Sequence, residues 1–100
     1  VFSAILYGNT NAQQVGSTLV GSVDSAFGQG LSLSSNGLVL AVGAPGFNAG
    51  SDTDAGQVSI YNFDGTNWIP GRIFIGTDQE RIGDRISLSA TGEHLAFRRA

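Results

Sequence analysis

The chain is predicted to be all β, and three observations carry that prediction. A fifteen-residue window returns 55 residues later, and runs of alternating apolar and small polar residues lie between clusters of turn formers. No stretch joins helical periodicity to caps over the roughly ten residues that a helix needs. The repeat is the most informative of the three. Residues 27–41, FGQGLSLSSNGLVLA, set onto residues 82–96, IGDRISLSATGEHLA, without a gap, and seven of the fifteen pairs are identical. Chance would give about one match in such a window, so the similarity reads as an internal repeat.

The elements follow in chain order. Ser3-Ala4-Ile5-Leu6-Tyr7 falls at or near the third strand of the repeating unit, and Gly16 and Gly21 align with Gly71 and Gly76. The opening at Val1 reads as a strand entered partway, as expected of a processed chain or a segment cut from a longer one. Leu31-Ser32-Leu33-Ser34 alternates, Ser35-Asn36-Gly37 turns, and Leu38-Val39-Leu40-Ala41-Val42 is apolar on both faces: a hairpin with a buried second strand. Asn and Gly both tolerate the positive φ of a tight turn, and the second copy keeps the glycine as Gly92. Gly43-Ala44-Pro45 ends the second strand, because proline has no N–H to continue a ladder.

A loop rich in turn formers runs from Gly46 to Ala55, and Gly56 releases a third strand, Gln57 to Phe63. In it Val58, Ile60 and Asn62 share one face, and Ser59, Tyr61 and Phe63 the other. Asp64-Gly65-Thr66-Asn67 turns again, Trp68 opens a fourth strand leading to Ile73-Phe74-Ile75, and residues 76–81 return to the next copy. Four antiparallel strands repeated at about 55 residues predict a β-propeller segment built of four-stranded blades. The alternative is a β-sandwich, whose strands also recur every ~8–12 residues. On the propeller reading, residues 1–26 are the C-terminal part of one blade, 27–81 one complete blade, and 82–100 the N-terminal part of the next.

Composition narrows the function classes. With 41% hydrophobic residues, 15 Gly and 13% charged residues the chain is globular in type, and 100 residues suffice for one small core. A net charge of −3 offers no footprint for a phosphate backbone, so nucleic acid is not an expected partner. The absence of cysteine excludes disulfides and thiolate zinc sites. No apolar run approaches the ~18 residues of a membrane-spanning helix, and the start VFSAILYG lacks the basic flank and cleavage site of a signal peptide.

Phe27-Gly28 at the start of the unit, Gly43-Ala44-Pro45 after its second strand, and Gly56, Val58, Ile60 and Tyr61 in the third together resemble the Phe-Gly/Gly-Ala-Pro (FG-GAP) repeat, the blade of integrin-α-type propellers. The resemblance covers residues 27–81 and parts of the flanking units. In the second copy Gly83 is kept, but Phe becomes Ile82 and Arg98-Arg99 stand where Gly-Ala would be. The resemblance implies a propeller of the cell surface or extracellular space that binds protein or glycan. Many such blades carry a calcium loop of the form Asp-x-Asn-x-Asp-Gly-x-x-Asp in the first hairpin. Here the corresponding positions are Ser32, Ser34, Ser35 and Asn36 before Gly37, with no carboxylate, so no calcium site carries over. Those hydroxyls are expected to face solvent or to stabilise the hairpin.

Asp52 and Asp54, in GSDTDAG, are the closely spaced carboxylates on an irregular loop and the one candidate metal pair. Two carboxylates without a third acidic neighbour more often make an Asx-type turn, so no cofactor is expected, with calcium at this pair as the less favoured alternative. His94, the sole histidine, aligns with Val39 and is expected as a packed or partly exposed ring rather than a catalytic group. Phe47, Tyr61, Phe63 and Trp68 are weighed as a ligand platform against packing, and packing is favoured. Asp78, Glu80, Arg81, Asp84 and Arg85 read as a solvated connection.

The expected function is therefore non-enzymatic: an interaction module, or alternatively an architectural subunit of a surface filament or coat. An enzyme on a propeller scaffold would need a convergent polar cluster that the sequence does not display. A chain supplying one complete blade and two partial ones cannot close a ring, so self-association, or packing against further blades, is expected.

Overall fold

The structure is a computed structural model and describes residues 3–4, 19–21 and 25–97. The described residues form eight strands and no helix: β1 (Ser3–Ala4), β2 (Leu19–Val20), β3 (Gly30–Leu33), β4 (Val39–Ala44), β5 (Gln57–Phe63), β6 (Trp68–Ile75), β7 (Ile86–Leu88) and β8 (Leu95–Phe97). They make three antiparallel sheets, a pair β1-β2, a meander β3-β4-β5-β6 and a pair β7-β8. The all-β expectation holds. The remainder of the expected N-terminal strand, residues 5–7, lies outside the described residues, as do Gly16 and the arginines at 98 and 99.

The meander is in register from Gly30↔Gly43 to Leu33↔Leu40 and from Val39↔Asn62 to Ala44↔Gln57. Residues opposite one another share a face, so the register divides the sheet into two sides. One side carries Leu31, Leu33, Leu40, Val42, Ala44, Tyr61, Phe63, Trp68, Ile73 and Ile75. The other carries Gly30, Ser32, Val39, Ala41, Gly43, Val58, Ile60 and Phe74. Strand β4 is the middle of this arrangement, with Leu40, Ala41 and Val42 fully buried. It continues through Gly43 and Ala44 and stops before Pro45, while Leu38 stays outside the strand and exposed.

Strand β6 tolerates Pro70 because it is the sheet's edge, where one row of N–H groups needs no partner. Between the pairs Ser59↔Ile73 and Tyr61↔Pro70 the register shifts, so Gly71 and Arg72 together oppose Ile60. This bulge keeps Ile73 and Ile75 on the same side as Trp68 although Ile73 is an odd number of residues, five, further along the strand.

The first side of the meander holds the core. Leu40, Val42, Ala44 and Trp68 cluster with Leu19 of β2 and with Phe27, and Phe47, Tyr61 and Phe63 pack against them. Phe27 lies so close to Gly21 that a Cβ there would overlap its ring. The second side, bare where Gly30 and Gly43 face each other, receives the β7-β8 pair. A Cβ at Gly30 or Gly43 would overlap the Gly83 carbonyl, and a Cβ at Gly56 would overlap the Ile82 backbone, with which Gly56 forms a parallel bridge. Phe74 meets Phe97 with ring centroids 5.7 Å apart.

The two hairpins have one local design. Ser34 N–H donates to the Val39 carbonyl (2.9 Å), Val39 N–H to Ser34 Oγ (3.0 Å), and Gly37 N–H to the Ser34 carbonyl (2.9 Å). Ser89, His94 and Gly92 make the corresponding three bonds at 2.9, 3.0 and 3.0 Å. Gly37 (φ 75°) and Gly92 (φ 79°) both take the left-handed conformation, as do Gly28 (95°) and Gly83 (103°) and, without glycine, Ala26 (59°) and Arg81 (52°). Asn36, though it tolerates a positive φ, does not take one: the loop is a single turn closed by the following glycine rather than a two-residue mirror-image turn.

Candidate functional site

The motif residues are structural in their placement. Phe27 is buried against Leu19 and β4, and Gly28 N–H donates to the Gly43 carbonyl at 2.8 Å. Ala44 and Pro45 are buried at the end of β4, and Gly46 N–H closes back on the Ser25 carbonyl at 2.9 Å. Gly56 stands at the entrance to β5 with φ 85°, where Ile82 of the following unit crosses it.

The loop of residues 46–55 is held at both ends and across its middle. Ala49 and Asp52 exchange both backbone hydrogen bonds at 2.9 Å, and Asp54 N–H donates to Asn48 Oδ1 at 2.9 Å. The segment of residues 77–81 then fastens it from outside: Thr53 N–H donates to Asp78 Oδ1 (2.8 Å), Gln79 N–H to the Thr53 carbonyl (2.8 Å) and Arg81 N–H to the Asp54 carbonyl (2.9 Å). The Arg81 guanidinium sits 3.1 Å from the Asp54 carboxylate. Both side chains are close to half exposed, so the pair orders the loop and adds little stability. The expected solvated connection is thus a clasp, with Asp78, Gln79 and Arg81 tied to a loop some 25 residues away. Asp52 and Asp54 are not joined by a third ligand, and among the described residues no group of three or more His, Asp or Glu side chains converges.

His94 is exposed just ahead of β8, in place of the half-buried Val39, and contributes its backbone to the hairpin. The four aromatics weighed as a ligand platform gather instead on the core: Trp68 is buried, its ring centroid 4.9 Å from that of Phe63 at a tilt of 42°, and Phe47 and Tyr61 pack beside them. Burial pushes the Tyr61 hydroxyl above its ordinary range, a shift that the hydrogen bond with Ser59 partly offsets. In the turn between β5 and β6, the backbone N–H groups of Asn67 and Thr66 hold the Asp64 carboxyl below its ordinary range.

The expected hairpin-stabilising role falls to Ser34, while the reach of Ser32 and Ser35 to the next hairpin was not expected. Ser34 is buried, accepting from Val39 and donating to Asn36 Oδ1 at 2.6 Å, and Ser32 Oγ accepts the Leu88 N–H across the two sheets at 3.0 Å. Ser35 Oγ reaches the Ala90 carbonyl at 3.2 Å. The signal was present: Ser32 and Ser34 are two of the seven identities in the repeat. Beside this seam an open groove runs between the second side of the meander and β8, walled by Ile60, Phe74, Leu95 and Phe97. Arg72 lines it from the bulge, its guanidinium carbon 5.2 Å from the Phe74 ring centroid. Compared with protein-family models, curated proteins and solved structures, the chain matches none.

Proposed function

We propose that the chain is a segment of an FG-GAP-like β-propeller that serves outside the cell or on its surface as a non-enzymatic module binding protein or glycan. The observation that carries this reading is the recurrence, 55 residues apart, of one hairpin with the same three hydrogen bonds and the same left-handed positions. Each copy is entered through a buried Phe27 or Ile82 followed by a left-handed glycine. In a propeller such units stack face to face around an axis, and binding resides in the loops that a rigid scaffold positions. The clasped loop of residues 46–55 is the ordered loop of this kind. Fold does not determine ligand, so the test is direct. Immobilised glycans and cell-surface ectodomains should capture the chain saturably, and replacement of residues 48–54 by a Gly/Ser segment of equal length should abolish capture while leaving the melt cooperative. Capture unchanged by that replacement would remove the loop from the function.

A second reading, an architectural subunit of a filament or coat, draws on a different observation. Leu31, Leu33, Ile73 and Ile75 lie on the core side of the meander yet are 47, 48, 54 and 54% exposed. They lie on the two edge strands, β3 and β6, with buried Val42 and Ser59 between them, and so leave apolar side chains exposed at both edges of the sheet, where other chains can associate. Light scattering should report oligomers of the isolated chain, and regular particles under the electron microscope without saturable ligand binding would favour this reading. A monodisperse monomer with a cooperative melt would count against both and revive the sandwich.

A further inference from the structure

Strand β8 has one edge in use. Ser89 N–H donates to the His94 carbonyl at 2.9 Å, and backbone groups alternate between the two edges of an antiparallel strand, so Ala96 also faces β7 while Leu95 and Phe97 turn their N–H and C=O groups the other way. Among the described residues no strand lies along that second edge. In the meander the same edge is filled: Phe63 N–H donates to the Leu38 carbonyl at 2.9 Å, and Leu40 and Val42, the counterparts of Leu95 and Phe97, stand opposite Tyr61 and Ser59 of β5. The free edge of β8 borders the groove described above, which is about 320 Å³ in volume and continues the interface between the second side of the meander and the hairpin. Its levels follow from the register. Phe97 meets Phe74. Leu95 pairs with Leu88, whose N–H is held by Ser32, and Ser32 stands at the level of Ala41 and, through it, of Ile60. Arg72 in the bulge opposes Ile60, so the groove has an aromatic wall at one level and an aliphatic and cationic wall at the next. Leu19 of β2 joins the core on the other side of the meander, away from this groove.

We propose that the free edge of β8 and this groove together form a strand-addition site, which takes an extended segment of a partner protein patterned like Gln57–Phe63. Main-chain bonds to Leu95 and Phe97 hold the guest antiparallel to β8, as they hold β5 to β4. Residues opposite one another share a face, and Leu95 and Phe97 line the groove, so the guest positions equivalent to Tyr61 and Ser59 point into it. An aromatic ring opposite Leu95 lies against Ile60 and offers the Arg72 guanidinium an aromatic face, as Phe74 already does. A small residue opposite Phe97 leaves the contact between Phe74 and Phe97 in place. A second copy cannot lend this strand from its folded sheet, because its own Gln57–Phe63 is paired on both edges. The inference uses the repeated hairpin and its groove alone and is independent of the loop of residues 46–55.

The probe is a labelled synthetic peptide with the sequence of Gln57–Phe63, added to the 100-residue chain and followed by fluorescence anisotropy and by amide hydrogen exchange. Saturable binding is expected, with exchange at Leu95 and Phe97 slowed about tenfold or more. Methylating the peptide nitrogens at its Ser59 and Tyr61 positions removes the N–H groups that face β8 and is expected to abolish binding. Methylation at its Val58 and Ile60 positions, whose N–H groups point away, is expected to leave binding in place. A peptide with alanine for its tyrosine should bind about tenfold or more weakly, as for an aromatic anchor in a pocket. Equal binding by the two methylated peptides, protection that spares Leu95 and Phe97, or no saturable binding of the unmodified peptide would each overturn the proposal. So would protection at Leu95 and Phe97 that is present without peptide and lost on dilution, which would assign the edge to a second copy.

Discussion

The hairpins β3-β4 and β7-β8 are built alike and live in different surroundings. Both turn on a serine that caps the strand opposite and a left-handed glycine three residues later. Yet Leu40, Ala41 and Val42 are fully buried, whereas their counterparts Leu95 and Phe97 are half-buried and Ala96 is exposed. The difference comes from neighbours. Strand β4 has β3 and β5 on its edges and packed groups on both faces, while β8 is paired with β7 alone among the described residues. Local chemistry thus makes the hairpin, and the sheets around it decide how much stability each of its residues carries.

The sharpest way to break this comparison is to remove the same side chain from each hairpin. Leu40→Ala should cost about 2–5 kcal/mol, the range for a leucine lost from a packed core, and Leu95→Ala distinctly less. Equal losses by denaturant unfolding would show that β8 is as well covered as β4. Next in size is the turn glycine. Gly37→Val should cost about 1–3 kcal/mol through backbone strain alone, since nothing lies within 4 Å of the added Cβ. Gly92→Val should cost more, because its Cβ also runs into the Val39 side chain. A thermal midpoint unchanged by Gly37→Val would contradict the left-handed turn.

Smaller effects sharpen the contrast. Ser34→Ala removes the acceptor of the Val39 N–H in a buried setting and should cost about 1–3 kcal/mol. Ser89→Ala, in its half-buried hairpin, should lose less, and the reverse order would mean that burial does not set the value of the bond. Tyr61 adds a pH signature to the β4-β5 side alone. Its raised pKa means that its contribution is present in full below the ordinary tyrosine value of about 10 and is lost as pH rises from there through the folded value. Tyr61→Phe should flatten that alkaline limb in urea titrations, and an unaltered limb would assign it elsewhere. The smallest expected effect is none: melting with calcium and with chelator should coincide, because neither hairpin loop nor the Asp52–Asp54 loop gathers three carboxylates among the described residues. A site present in the native state alone would add ~2.7 kcal/mol at a hundredfold excess over its dissociation constant, so an upward shift would direct attention to Asp52 and Asp54.

What the amino-acid sequence determines by itself is whatever depends on contacts a few residues long. Alternation in Gln57–Phe63 sets which side chains share a face, Gly37 and Gly92 supply a turn that only glycine adopts freely, and Pro45 ends β4. Those features were legible at their places, and so was the spacing of 55 residues. Asn36, which tolerates a positive φ, does not take one, because the loop closes through Ser34 and leaves the left-handed step to glycine alone. Tertiary structure decided the rest. Ser32 Oγ takes the Leu88 N–H, Arg81 reaches back to Asp54, and Gly30 and Gly43 are bare because Gly83 passes over them. Each of these is fixed by a partner tens of residues away, and a hydroxyl, a charge or a missing side chain carries no local trace of which distant backbone will approach it.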